Sequence, residues 1–250
     1  MTAPGRLIGA SLGPGDPGWI TRRAWEVLHG AGRWAYPVRA AGERSYALGI
    51  VERAGLQAPG DALELIFPMT HDPQELAQAW ARAAAAVAES LRSGRDVVFL
   101  VEGDASTYAT FGHLARTVEA ELPAVEVETI PGVASFVAAP ARLGWPLATQ
   151  HETVVVLPGG YGLETVQRLL PEMDTLVLLK VRPLLDPLID LLEERDLLAS
   201  SALVERAGSP DERVVTDLRT LRGGAGVHYL SLLLVRNPHR RWARTAGGEG

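Results

Sequence analysis

The sequence predicts an α/β protein of two α/β domains, with a five-stranded, mainly parallel sheet in the N-terminal domain and a mixed sheet in the C-terminal one. Short apolar runs alternate with segments of helical periodicity through the first half of the chain. These runs do not alternate apolar with polar residues, which is typical of strands that helices cover on both faces. Near the C-terminus two such runs follow one another without a helix-length gap, which favours antiparallel neighbours.

Five apolar runs in the first domain are predicted strands, because each is short and ends near glycine, proline or aspartate. They cover residues 7–12, 33–38, 63–67, 96–101 and 125–130. The segments between them are predicted helices, over residues 21–31, 45–54, 72–91 and 107–122, with an alanine-rich helix after Gly132 that ends at Leu143. Pro73 near the start of the longest helix, and Gly94 just after it, fit the usual preferences of helix termini.

The segment 144–150 interrupts this alternation, and we place a domain boundary between residues 148 and 149. The first domain is then 1–148 and the second 149–237. The second domain has predicted strands at 153–157, 175–180, 202–205, 212–216 and 229–235, and predicted helices at 164–170 and 184–195. The tail 238–250 has no periodicity, and we expect it to be frayed and disordered.

Composition excludes several classes of protein. The chain has 250 residues, 47% of them hydrophobic, which is enough for sizeable cores. Its net charge of −6 lacks the basic footprint of a nucleic-acid-binding protein. There is no cysteine, and the six histidines lack metal-ligand spacing, so we expect no protein-bound metal. No apolar run is long enough to span a membrane and no signal peptide is apparent, so we expect a cytoplasmic protein that does not bind membranes.

The loop after the first predicted strand contains Gly13, Gly15 and Gly18, which satisfy the pattern G-x-G-x-x-G. A dinucleotide site would also need backbone donors, of which Pro14 and Pro17 remove two. It would need an acidic residue after the second strand, where this chain has Tyr36-Pro37. The pattern therefore indicates a tight strand-to-helix turn, and an NAD-dependent oxidoreductase is a disfavoured alternative.

Two further loops also follow predicted strands. Residues 102–108 come directly after the fourth strand, and residues 131–136 come directly after the fifth. The carboxyl ends of parallel strands lie at one edge of a sheet, where open α/β folds bind ligands. A purely structural interpretation remains open for both loops. In the first, Asp104, Ser106 or Thr107 caps the next helix, and in the second, residues 131–136 form a tight turn that packs on a helix. The convergence of all three loops predicts a ligand crevice.

These loops, in this order, resemble those of the tetrapyrrole methyltransferases of cobalamin and sirohaem synthesis. The resemblance spans about residues 7–235. The matching residues are Gly9, Gly13-Pro14-Gly15-Asp16-Pro17, Gly103-Asp104, Tyr108 and Ile130-Pro131-Gly132-Val133-Ala134-Ser135-Phe136. Other runs are similar to the branch that methylates precorrin-2 at C20, namely Ala35-Tyr36-Pro37-Val38, Phe67-Pro68-Met69-Thr70, Ala79-Trp80 and Leu178-Leu179-Lys180-Val181.

The resemblance implies the tetrapyrrole methylase fold, with S-adenosylmethionine in a cleft between the two domains, and a homodimer. It implies methyl transfer to C20 of precorrin-2 or cobalt-precorrin-2. The residues that match cofactor positions of the family are Pro14, Glu102, Gly103, Asp104, Thr107, Ala134, Ser135, Lys180 and Gly208. Two residues depart from the family pattern, because glycine is usual where Ser11 stands and proline is usual where Ala105 stands.

The implied reaction also needs a proton acceptor and a binding site for a polycarboxylate substrate. Asp104 is the first candidate for accepting the C20 proton and Tyr229 the second. We expect desolvation beside the bound macrocycle to raise the pKa of Asp104. Arg39, Arg44 and Arg182 follow predicted strands and as a group are candidates for pairing with substrate carboxylates, although for any single one a solvated surface arginine is the favoured interpretation.

Two alternatives stay open at this point. One is methylation at another corrin position, such as C11 or C17, or of uroporphyrinogen III. Another, from a different class, is a non-catalytic protein that binds a nucleotide or a tetrapyrrole. Family members that modify ribosomal RNA or diphthamide are disfavoured by Tyr36-Pro37 and Phe67-Pro68-Met69.

Overall fold

A computed structural model describes residues 3–70, 72–223 and 226–240. Within it the chain forms two compact units, Met1–Ala134 and Ser135–Gly250. The dividing point lies earlier than the sequence-based boundary at 148/149, so the alanine-rich helix falls in the second unit. Of the predicted tail, residues 241–250 lie outside the described residues, whereas the Arg240 side chain is paired with the Asp174 carboxylate.

The first unit contains a five-stranded sheet whose paired strands are all parallel, which confirms the predicted sheet. The strand order is β3-β2-β4-β1-β5. The elements in chain order are β1 (Leu7–Ser11), α1 (Arg22–Leu28), β2 (Arg33–Val38), α2 (Tyr46–Arg53), β3 (Leu63–Ile66), α3 (Pro73–Arg92), β4 (Val97–Val101), α4 (Phe111–Glu121) and β5 (Val127–Ile130).

Both faces of this sheet are buried, as the continuous apolar strands predict. On one face, alternate strand residues such as Phe99 pack with residues of α3 and α4. On the other face, their neighbours in the strands, such as Leu100, pack with residues of α1 and α2. The core therefore fixes each strand against helices on both sides, and the loops at the strand ends are left to form a site.

The second unit contains a mixed sheet, which also confirms the prediction. Its order is β6-β7-β10-β8-β9, where β6 and β7 are parallel and the other neighbours are antiparallel. The elements are α5 (Ser135–Leu143), β6 (Val154–Pro158), α6 (Gly162–Leu169), β7 (Thr175–Leu179), α7 (Leu185–Glu194), β8 (Ser201–Glu205), β9 (Arg213–Val215) and β10 (Ser231–Arg236).

Two local predictions are wrong. The helix expected to begin near Thr107 begins at Phe111, and its N-cap residue Thr110 makes no side-chain capping bond. Asp104 therefore does not cap α4, and it accepts hydrogen bonds within its own turn instead. Tyr229 precedes β10, which starts at Ser231, rather than beginning that strand.

Candidate active site

The loops after β1 and β4 are joined directly through two glycines. The backbone N–H of Gly13 donates to the Gly103 carbonyl oxygen at 3.2 Å, and the N–H of Gly103 donates to the Gly13 carbonyl oxygen at 2.8 Å. Both residues have positive φ angles, +75° and +73°. This conformation costs glycine little. The strand order β4-β1-β5 places the third loop, after β5, at the same edge.

The Ser11 hydroxyl connects all three loops. It donates to the Ile130 carbonyl oxygen at 2.5 Å and accepts from the Ala105 N–H at 2.8 Å. The Ser11 side chain is fully buried. The two departures from the family pattern are therefore one hydrogen-bonded unit, because proline at 105 would have no N–H to donate and glycine at 11 would have no hydroxyl to accept it.

The buried Ser11–Ala105 pair gives the first testable expectation. Ser11→Gly leaves the Ala105 N–H and the Ile130 carbonyl unpaired, and should lower the free energy of unfolding by about 2 kcal/mol. In an Ala105→Pro background the same change should cost about 1 kcal/mol less, because no N–H is left unpaired. Urea unfolding of both single variants and the double variant measures this coupling.

Ser201 provides the control for that cycle, since its buried hydroxyl donates to the Leu197 carbonyl oxygen at 2.7 Å in the second unit. Ser201→Ala combined with Ala105→Pro should be additive, because the two sites share no partner. Additive costs for Ser11→Gly and Ala105→Pro would contradict the assignment of Ser11 and Ala105 to one unit.

Asp104 ties its own turn to the loop after β5. Its Oδ1 accepts from the Ser106 N–H at 2.9 Å, from the Ser106 hydroxyl, and from the Thr107 hydroxyl at 3.0 Å. Its Oδ2 accepts from the Gly132 N–H at 2.8 Å. Burial acts to raise the pKa of Asp104, but these hydrogen bonds outweigh burial and hold it below the usual value for aspartate. A raised pKa beside a bound macrocycle stays a prediction.

Glycine is needed at position 132 because there is no room for a side chain, not because the backbone has a positive φ angle. A Cβ at this position would overlap the Cβ of Ser11 and lie 2.9 Å from the Gly103 carbonyl oxygen. At Gly103, by contrast, a Cβ would meet nothing within 4 Å. The three loops are thus packed tightly against each other at Gly132, whereas the space beside the Gly103 Cα is open to a ligand.

The carbonyl groups of the first loop are held by α2. The Tyr46 hydroxyl donates to the Pro14 carbonyl oxygen at 2.9 Å, and the Arg53 guanidinium donates to the Gly15 carbonyl oxygen at 2.8 Å. Pro14 itself is buried. With two prolines lacking N–H groups, this loop does not present the row of free donors that a pyrophosphate needs.

The first unit brings most of its predicted site residues together at the carboxyl edge of the sheet. The loops that contain Pro14, Glu102, Gly103, Asp104, Thr107 and Ala134 are joined there by the contacts above. Arg39 and Arg44 are exposed and follow β2, the neighbour of β4, so they lie along the same edge. Tyr108, for which the sequence analysis assigned no role, lies in the same loop with an exposed side chain and a φ of +52°.

The remaining predicted site residues belong to the second unit. The Lys180 ammonium lies 5.0 Å from the centroid of the Tyr229 ring, so the structure brings these two residues together. The Gly208 N–H donates to a carboxylate oxygen of Glu212 at 2.5 Å. Arg182 is exposed in a short turn after β7, and Ser135 begins α5. Whether these residues bind ligands stays a prediction.

Within residues 3–70, 72–223 and 226–240, no group of three or more histidine, aspartate or glutamate side chains is arranged to hold a metal ion. In the same described ranges, no helix combines the length and the apolar character that crossing a bilayer requires.

Comparison with known proteins connects this geometry to a family. Residues 6–222 match the family model of Tetrapyrrole (Corrin/Porphyrin) Methylases. The chain is 30% identical over 233 residues to the probable cobalt-precorrin-2 C(20)-methyltransferase of Methanocaldococcus jannaschii, covering 92% of this chain and 96% of the relative. It is also 30% identical over 238 residues to the cobalt-precorrin-2 C(20)-methyltransferase of Salmonella typhimurium, covering 95% and 98%.

Solved structures agree with this match. Uroporphyrin-III C-methyl transferase from Thermus thermophilus, complexed with S-adenyl homocysteine, is 25% identical with a TM-score of 0.65, covering 93% of this chain and 98% of that one. A cobalt precorrin-4 methyltransferase is 21% identical with a TM-score of 0.68, covering 92% and 94%, and supports the fold alone.

Proposed function

The chain belongs to the tetrapyrrole (corrin/porphyrin) methylase family, and from that premise we propose that it methylates the C20 meso carbon of precorrin-2 or cobalt-precorrin-2 in cobalamin biosynthesis. The methyl donor in this proposal is S-adenosylmethionine. The observation that carries the C20 assignment is the 30% identity, over nearly the full length of both chains, to two relatives named for that reaction.

The open space beside Gly103 supports a donor site in the first unit, because a ligand can approach the backbone there without meeting a side chain. A solved neighbour at 25% identity is described as a complex with S-adenyl homocysteine, the product form of this donor. We propose that Pro14, Glu102, Gly103, Asp104, Thr107 and Ala134 contact the donor in the first unit. Ser135, Lys180 and Gly208, the other residues that match cofactor positions of the family, stay candidates for donor contacts.

Bound S-adenosylmethionine supplies a methyl group that its sulfonium has already activated. The nucleophilic C20 is enamine-like, so the protein has mainly to align the two carbons and exclude water. Such alignment is worth roughly 7–11 kcal/mol when the geometry is close to that of attack. The interlocked loops of Ser11, Gly103 and Gly132 suit this task, because their buried hydrogen bonds leave little freedom for the site to shift.

A proton must leave C20 after the carbon–carbon bond forms. We propose Asp104 as its acceptor, through Oδ2, which accepts a hydrogen bond from the Gly132 N–H and has a second lone pair for the proton. The lowered pKa of Asp104 makes it a weak base. A weak base is sufficient here, because methylation places the C20 proton next to an electron-poor ring and makes it acidic. Tyr229 is the second candidate.

The decisive experiment is incubation with S-adenosylmethionine carrying a ¹³C-methyl group, together with precorrin-2 or cobalt-precorrin-2 in separate reactions. We expect one added methyl, located by NMR at C20. A methyl at C11, C17 or a uroporphyrinogen position would overturn the C20 assignment and keep the family chemistry. Stoichiometric binding of both ligands without transfer would favour the non-catalytic alternative. The homodimer and the cytoplasmic location also stay predictions.

A further inference from the structure

Exposed apolar side chains gather at one edge of the sheet in the first unit. Among the described residues of that unit, the large apolar side chains with high exposure are those of Trp25, Ile66, Met69 and Tyr108. Trp25 belongs to α1, away from the strand ends. Ile66 ends β3, Met69 lies in the loop after β3, and Tyr108 lies in the loop after β4. Because the strands are parallel, these three residues share the carboxyl edge, and such a group marks a binding surface.

The loop that presents Met69 is held on both sides. Before Met69, the Phe67 ring packs against the Trp80 ring, with 4.5 Å between the ring centroids. After it, the Thr70 hydroxyl accepts a hydrogen bond from the Asp72 N–H at 3.1 Å. Met69 is nevertheless 64% exposed. An apolar side chain on a loop that is already held loses little further freedom when a ligand covers it, so this arrangement suits binding.

Tyr108 has a strained backbone beside the proposed donor loop. Its φ angle is +52°, and its side chain is 55% exposed. A bulky residue in this conformation costs stability that glycine would not, and strain of this kind concentrates at functional sites. The next residue, Ala109, packs against the same apolar cluster as Phe67. One part of the core therefore supports both Tyr108 and the loop of Met69.

Basic residues lie between these apolar side chains. β2 is the strand between β3 and β4, and the segment after β2 contains exposed Arg39 and Arg44 together with one acidic residue, Glu43. Neighbouring strands are about 4.8 Å apart, so the loops after β3 and β4 begin roughly 10 Å from each other. A broad apolar ring can span that distance. An apolar surface with cations beside it is complementary to a ring that carries carboxylates at its periphery.

We propose that Ile66, Met69 and Tyr108 form a platform against which one face of the tetrapyrrole macrocycle packs. A thioether and a phenol ring both make favourable contacts with an unsaturated ring system. The platform lies in the same unit as the proposed donor residues and includes none of them. It rests on the proposed function, since it presupposes a tetrapyrrole as the methyl acceptor.

The test compares the full-length chain with the variants Met69→Gln, Ile66→Thr and Tyr108→Asn. Each change replaces exposed apolar surface by polar surface. Asparagine tolerates the left-handed backbone, so the residues next to position 108 should keep their places. Precorrin-2 is titrated in the presence of saturating S-adenosylhomocysteine, and S-adenosylhomocysteine binding is measured separately by calorimetry.

We expect each variant to bind precorrin-2 about 5- to 30-fold more weakly, because part of one apolar contact with the ligand is lost. S-adenosylhomocysteine should bind within about twofold of the unmodified chain. Since all three side chains are exposed, Tm should stay within about 2 °C. Weaker binding of one ligand at constant Tm is a result that a merely structural role would not produce.

Val214→Thr is the matched control for Ile66→Thr. Both residues are β-branched, both are 41% exposed and both belong to edge strands, but Val214 lies in β9 of the second unit. This change should alter neither affinity.

Salt separates the platform from the cations beside it. The loss of affinity in Met69→Gln should be as large in about 0.5 M salt as in about 0.05 M, because apolar contacts are not screened, whereas the loss in a variant with both Arg39→Gln and Arg44→Gln should shrink.

Several outcomes would overturn the platform. These are unchanged precorrin-2 affinity in the three variants, a loss that Val214→Thr reproduces, and an equal loss of S-adenosylhomocysteine binding. A change of oligomeric state in Met69→Gln, seen by size-exclusion chromatography, would assign the surface to a second copy of the chain instead. Failure of the proposed function is recognised in the unmodified chain. Binding of precorrin-2 without methylation at C20 would leave the platform standing, whereas absence of binding would end both proposals.

Discussion

Asp104→Asn is expected to lower the affinity for S-adenosylhomocysteine at least about 10-fold and the free energy of unfolding by about 2–3 kcal/mol. Oδ1 accepts several hydrogen bonds, so the amide oxygen should take that position and the amide nitrogen should face the Gly132 N–H. Two donors then oppose each other, and the connection between the loops after β4 and β5 is lost. Calorimetric titration and urea unfolding measure the two effects.

The effect of Asp104→Asn on stability should depend on pH. Because the folded-state pKa of Asp104 is lowered, its carboxylate stabilises the fold fully above the ordinary aspartate pKa of about 3.9. That contribution is lost as the pH falls through the lower folded-state pKa. The gap in unfolding free energy between the unmodified chain and Asp104→Asn should therefore be constant near neutral pH and shrink on acidification below about pH 4.

Asp72→Asn is the matched control, because Asp72 caps α3 by accepting from the Gln74 N–H at 2.8 Å. Asparagine caps helices about as well as aspartate does, so this change should alter neither stability nor ligand affinity appreciably. Equal effects of Asp72→Asn and Asp104→Asn, or a gap for Asp104→Asn that widens in acid, would contradict the role given to Asp104.

Gly132→Ala is the second change with a large expected effect. The backbone at Gly132 does not need a positive φ, so alanine could adopt it, but the added Cβ would overlap Ser11 and crowd the Gly103 carbonyl oxygen. Backbone is the obstacle, so the loops must move apart. Overpacking of this kind costs about 3 kcal/mol, equivalent to a Tm lower by roughly 6–12 °C. Loss of the aligned loops should also abolish measurable methyl transfer.

Gly112→Ala, in the first turn of α4, is the control for this experiment. A Cβ there would meet nothing within 4 Å, and alanine is the better helix former by up to about 1 kcal/mol. Tm should rise by a few degrees while activity is unchanged. Thermal unfolding of both variants, with the product assay, decides the matter: a Gly132→Ala variant as stable and active as Gly112→Ala would refute the close packing of the loops.

The sequence by itself determined the succession of strands and helices along the chain, and the edge of the sheet at which the loops meet. Apolar runs without alternation predict strands covered on both faces, and β4 and α3 were placed within a residue or two on that basis. Parallel strands that helices connect must direct their carboxyl ends the same way. The convergence of the loops after β1, β4 and β5 therefore followed from pattern alone.

Only the tertiary structure decided how those loops hold each other. The Ser11 hydroxyl bonds to residues 94 and 119 positions away, and the Asp104 carboxylate bonds to Gly132, 28 positions away. The direction of the Asp104 pKa shift also depends on the tertiary structure, because the hydrogen bonds that lower this pKa outweigh the burial that raises it. The left-handed angle at Tyr108 was equally hidden, because this residue type does not signal it. Periodicity and motif spacing report local preferences, whereas these features depend on which distant atoms the strand order brings within hydrogen-bond distance.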